Sequence, residues 1–200
     1  MKILALELST ARGSLAFVSD QVKVAREWPN DRKNAALFFQ HLSDVRKQLG
    51  SPNLIIVGLG PGSYAGTRIA ISAAIGLQMA SDAGLIGLPS ICTMESGEAE
   101  YCVIGDARRQ TFFFARIRNR EILEGPTLMS EAQLHAKLER VDKNVPVFAT
   151  EELPQFAAEI RYPLAQILAS LAQEPNRSFV LAPLEPIYLR EPHITVPKST

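Results

Sequence analysis

Residues 54–81 read LIIVGLGPGSYAGTRIAISAAIGLQMAS, and the fold is decided here. Leu54–Leu59 is a short, uncharged, β-branched run, the pattern of a strand buried on both faces. Gly60-Pro61-Gly62-Ser63 is turn chemistry, and Ser63 suits the N-cap of a helix. From Tyr64 to Ser81 the only charge is Arg68, and most side chains are small. A helix apolar on every side is buried on every side, within its own domain or against a partner. The loop is no P-loop, because the Lys-Ser/Thr ending is missing. Its third glycine also comes one position late for the dinucleotide fingerprint. Amides at such a helix start can bind an anion, but the spacing favours a tight strand–helix turn.

Working outward, residues 2–8 are an apolar run ending near Glu7. Ser14–Ser19 and Gln21–Glu27 read as two strands around a short turn. Ala35, Phe38, Leu42, Val45 and Leu49 form one helical stripe, with Gly50 as C-cap and Pro52 barring continuation. Gly84–Leu88 is a further strand. The second half repeats the order. Tyr101–Asp106, Thr111–Arg118 and Glu121–Glu124 are strands, and Ser130–Gln133 is a capping box opening a helix to about Val141. Val145–Ala149 is a strand, and Pro163–Gln173 a helix. The expectation is a duplicated β-β-β-α-β-α unit, two mixed α/β lobes flanking a cleft. The first lobe would span 1–88 and the second 89–190, with a loose tail at 191–200.

The chain has 200 residues, 21 of them basic and 21 acidic, so its formal net charge is zero. Hydrophobic residues make up 46% and charged residues 21%, an ordinary globular composition. Zero net charge argues against a general binder of nucleic acid or membrane surfaces. Cys92 and Cys102 give neither a zinc site nor a disulfide framework. His41, His135 and His193 lack metallopeptidase spacing, and there is no G-x-S-x-G elbow. No leader or membrane-spanning run is evident, so the expected location is the cytoplasm.

Three segments carry candidate chemistry. Glu7 and Asp106 fall at matching places in the two halves, each after a buried first strand. With Ser9, Gly60, Gly62 and Ser63 they could line a vestigial nucleotide site, the acids holding Mg²⁺ through water. Capping of turns is the commoner use of such acids. Arg108, Arg109, Arg116, Arg118 and Arg120, interleaved with Phe112–Phe114, could contact RNA, although a solvated hairpin face is favoured. Leu37 and Phe39 lie off the apolar stripe of their helix, beside the unusually apolar 63–81 helix, and suggest an interface.

Four segments, Met1–Thr10, Gly60–Ile69, Asp106–Arg108 and Glu185–Arg190, resemble the TsaB (YeaZ) family in order along the chain. Glu7 stands where that family usually has aspartate. The resemblance implies an actin/Hsp70/sugar-kinase-like (ribonuclease H-like) fold. It also implies a non-catalytic scaffold in threonylcarbamoyladenosine synthesis on tRNA. Such a scaffold pairs with a TsaD-type catalytic subunit, joins a TsaE-type ATPase in a ternary complex and meets tRNA indirectly. No cofactor would be required, with at most weak ATP or ADP and Mg²⁺, and the chain alone would form a homodimer. Leu37, Phe38, Phe39, Tyr64, Arg68, Ile69, Ala70 and Ala73 are the implied partner interface. The alternative is an active nucleotide-dependent ATPase or kinase of the same fold.

Overall fold

The computed structural model describes residues 1–31 and 34–190. The expected loose tail, 191–200, and the side chain of Ala35 lie outside the described residues. The first half contains β1 (Ile3–Glu7), β2 (Arg12–Val18), β3 (Lys23–Pro29), α1 (Ala35–Leu49), β4 (Leu54–Gly58), α2 (Tyr64–Ser81) and β5 (Gly84–Leu88). The second contains β6 (Glu100–Asp106), β7 (Thr111–Arg118), β8 (Glu121–Ser130), α3 (Glu131–Leu138), β9 (Val147–Ala149), β10 (Glu159–Ile160), α4 (Ala165–Leu171) and β11 (Val180–Leu181).

One sheet runs β11-β5-β4-β1-β2-β3 and the other β10-β9-β6-β7-β8. Without β11 the two orders are the same. In each, an antiparallel meander of three strands continues into two parallel ones. This is the duplicated actin-like, ribonuclease H-like arrangement. Strand alternation sorts the side chains. Ile3 and Ala5 face an inner core with Tyr101, Val103 and α4, while Leu4 and Leu6 face α1 and α2. On the far side, Ile104 and Phe114 pack under α3.

Three details depart from the sequence reading. Strand β8 does not stop at Glu124 but runs through Gly125-Pro126 to Ser130. Gly125 takes φ +81 opposite a register shift at Phe114/Arg116, so a bulge absorbs the pair. Its place on a sheet edge tolerates a proline without an N–H. Helix α3 ends at Leu138 rather than Val141. Elements after residue 88 also return to the first sheet. Helix α4 lies on β1, β2 and β4, and β11 pairs with β5 of the first sheet.

The rotation of α2 is fixed by its first turn. A Cβ on Gly62 would overlap Ser9 O, and one on Gly66 would overlap Leu8 O. The backbone therefore lies against the end of β1, and Ser63 N donates to Ser9 O at 2.6 Å. From Gly66 the buried face continues through Ala70, Ile71, Ala74 and Leu77. Two candidate interface residues are corrected by this packing. Ala70 is 0% exposed, and Phe38 of α1 is 2% exposed beside Trp28. Leu37 and Ala73 are half-buried against the same core. The outward face of α2 instead carries Ile69, Ile75 and Met79, with Met79 83% exposed.

Ala70→Glu should lower the melting temperature sharply or abolish folding, since an unpaired buried charge costs about 3–5 kcal/mol. Met79→Glu should leave the melting temperature unchanged. Equal effects in thermal denaturation would contradict this orientation of α2.

Candidate functional site

A cleft of about 590 Å³ opens between the lobes. Its first-lobe wall comes from Ser9, Gly62, Ser63 and Tyr64, where β1 ends and α2 begins. Its second-lobe wall comes from Asp106, Arg108 and Glu151. Four of the six candidate nucleotide-site residues, Ser9, Gly62, Ser63 and Asp106, thus meet at one cleft. Glu7 and Gly60 do not line it.

Glu7 is 0% exposed. Its Oε1 accepts from Ser9 N at 2.7 Å, and its Oε2 is buried without a partner. The carboxyl lies under the turn that follows β4, where a Cβ on Gly58 would overlap Oε2. Burial pushes this carboxyl above its ordinary value, against the opposing pull of Ser9 and Ser90. Its carboxyl is enclosed in the interior and does not reach the cleft. Asp106 is engaged by its own turn. Its Oδ1 accepts from Arg108 N at 2.6 Å and its Oδ2 from the Arg108 guanidinium at 3.1 Å.

The glycine loop is similarly closed. Leu59 N donates to Leu88 O, Gly60 N to Ser90 Oγ and Gly66 N to Ser63 Oγ. Gly60 takes φ +87, which suits glycine. These amides serve the tight turn rather than an anion. The two acids do not converge, and no cluster of three metal-ligating side chains occurs among the described residues.

The arginine-rich hairpin resolves in the same way. Arg116 and Arg118 both bind Glu100 and hold its carboxyl below the ordinary range. Arg120 donates to the carbonyls of Met94 and Ser96. Phe112, Phe113 and Phe114 are buried, so none offers a ring for stacking. The thiols are buried too, with Cys92 pushed up to about 12 and Cys102 to about 11, which suits neither as a nucleophile.

Besides Ile122 and Leu123 on β8 and Val180 and Leu181 on β11, exposed apolar side chains lie on α1 and α2. Phe39 is 56% exposed, and Tyr64, Ile69, Ile75 and Met79 add apolar area. Arg68 sits at the start of this face, donating to Tyr64 Oη at 2.6 Å. Sequence reasoning named Phe39, Tyr64, Arg68 and Ile69 here but missed Ile75 and Met79. Positions 69, 72, 75/76 and 79 form one helical stripe opposite 66, 70, 74 and 77, but spacing alone does not say which of the two faces outward.

Residues 35–180 match the family model described as TsaD: tRNA N6-adenosine threonylcarbamoyltransferase. The chain belongs to the family that this model describes. It is 30% identical over 101 residues to the Escherichia coli tRNA threonylcarbamoyladenosine biosynthesis protein TsaB, a match covering 48% of this chain. That match spans only 44% of the E. coli protein's length. An uncharacterised Mycobacterium bovis protein is 27% identical over 161 residues, covering 76% of this chain and 70% of its own. YeaZ from Pseudomonas aeruginosa superposes with a TM-score of 0.66 at 22% identity, covering 86% of this chain and 90% of its own. A crystal structure described as an uncharacterised protein with similarity to peptidase YeaZ, from the same organism, gives 0.73 at 22% identity, covering 94% and 99%. These superpositions show the fold shared by TsaB/YeaZ members.

The buried Glu7 sets a pH signature. Its folded pKa lies above the unfolded value near 4.5, so the folded state binds the extra proton. Stability from this group is complete below about pH 4.5 and falls as pH rises toward the folded pKa, by up to about 1.4 kcal/mol per unit. Glu7→Gln removes that slope. Melting temperatures from about pH 4 to about pH 8 should show the variant gaining on the parent as pH rises. Parallel curves would mean that Glu7 is ionised and partnered.

Proposed function

We propose that the chain is a non-catalytic subunit in threonylcarbamoyladenosine synthesis on tRNA, docking a TsaD-type catalytic subunit through the exposed face of α2 and Phe39 of α1. The carrying observation is the outward stripe of Ile69, Ile75 and Met79 on a helix whose opposite face is already buried. Large apolar side chains grouped in this way mark a contact surface rather than ordinary scatter. The match to the threonylcarbamoyltransferase family model and the similarity to a TsaB protein support this process and this kind of partner. The cleft supports the non-catalytic part of the reading, because Glu7 is buried away from it and Asp106 is held by Arg108. The chain then needs no cofactor of its own. It would meet tRNA only through the assembly, which a TsaE-type ATPase joins as a third member.

Gly76 favours this reading over a bare structural role. It is exposed in mid-helix, and a Cβ there would meet nothing within 4 Å. Glycine at such a site costs about 0.5–1 kcal/mol relative to alanine with no internal return. Its use is a flat patch that lets another backbone approach.

Met79→Glu should weaken the complex with the cognate TsaD-type subunit at least about 30-fold in calorimetric titration, the scale of an interface hot spot. Threonylcarbamoyladenosine formation by the mixture should fall with it. Unchanged affinity would place the interface elsewhere. Gly76→Ala should raise the isolated chain's stability by about 0.5–1 kcal/mol while weakening the complex. Higher stability with full affinity would remove the close-approach role.

A further inference from the structure

After α4 the chain returns to the first lobe as β11 and then crosses the cleft mouth. Leu184 is buried in the first lobe's core. Ile187 N donates to Leu59 O at 2.8 Å, extending the pairing beyond the end of β4. The Tyr188 ring lies 5.3 Å from that of Tyr64 at an interplanar angle of 34°. Arg190 then reaches the second lobe, where its guanidinium donates to Arg108 O at 3.3 Å and to Thr111 Oγ1. Pro186 to Arg190 all line the cleft. One strap is therefore pinned to both lobes.

The two ends are unequal. The first-lobe end is held by a buried leucine and a backbone hydrogen bond. The second-lobe end has only Leu189, half-buried against the core between the lobes, and the Arg190 guanidinium, whose Nε is buried with no partner among the described residues. Its receiving turn places Arg108, Arg109 and Gln110 in succession at φ 66, 54 and 58, a backbone region that non-glycine residues seldom occupy. Few bonds, an unsatisfied donor and a strained seat describe a contact poised to open.

We propose that residues 184–190 form a latch over the interlobe cleft, with Arg190 as its releasable end, and that Tyr188 couples the latch to the docking face of α2 by sharing Tyr64. A partner that takes the Tyr64 ring from Tyr188 removes one of the latch's anchors. By linkage, release of the latch favours docking to the same degree. The clamp stands on contacts within this chain alone, whereas its coupling rests on the reading of α2 as a docking face.

Amide hydrogen exchange on the full chain tests the clamp. Arg190→Ala should speed exchange at residues 106–111 and 186–190 by about tenfold and leave β4 unchanged, the pattern of local opening. Unaltered exchange at those residues, or acceleration of β4 as well, would overturn the clamp. Titration of Tyr188→Ala and Arg190→Ala with the cognate TsaD-type subunit tests the coupling, and both variants should bind more tightly than the parent. Equal or weaker binding would overturn the coupling. Failure of the parent itself to bind would overturn the docking reading and the coupling together, while the exchange result would still decide the clamp.

Discussion

The surface of this protein depends on two glycines lying against two carbonyls. Gly62 and Gly66 bring the first turn of α2 against Ser9 O and Leu8 O, closer than any side chain would permit. That contact sets the helix's rotation. Ala70, Ala74 and Leu77 are then committed to the sheet, and Ile75, Gly76 and Met79 to the outside. A helix with small residues all round has no strong preference for one face. Here backbone proximity at one end makes the choice for all 18 residues.

The same turn borders the cleft. In an actin-like fold the end of the first strand is a natural place for an acid facing a ligand. Here the longer glutamate folds back beneath Gly58, and its carboxyl takes up interior space beside Ser90. Burial favours the neutral form, which draws no cation. Asp106, at the matching position of the second lobe, binds the arginine two residues on. The duplicated fold brings both acids to equivalent places, yet Glu7 turns into the interior while Asp106 stays on the cleft wall, paired with Arg108. What remains is a cleft spanned by the strap that ends at Arg190 and a helix face with nothing over it.

Much of this was legible in the sequence. The alternation of strands, the 38/42/45/49 stripe and the Ser130 capping box each come from local rules of spacing and hydrogen bonding, and each appears in the structure. The cleft followed from the duplication. Helix rotation was not legible, because Ala70 and Ala73 look alike in a segment of uniform polarity, and only the contact with β1 separates them. Phe38 was counted both as core and as surface, and Trp28 settles it as core. The two-residue strands β10 and β11 carry too little periodicity to be seen. The direction of the Glu7 carboxyl is a tertiary fact, set by the missing side chain of Gly58 far along the chain.

Oxidative footprinting of the methionines tests the central claim most directly. Met79 is 83% exposed and Met1 58%, so both react readily in the free chain. On addition of the cognate TsaD-type subunit, the account predicts that oxidation of Met79 falls steeply while that of Met1 continues at its original rate. Undiminished oxidation of Met79 in a mixture shown by light scattering to contain the complex would contradict the account.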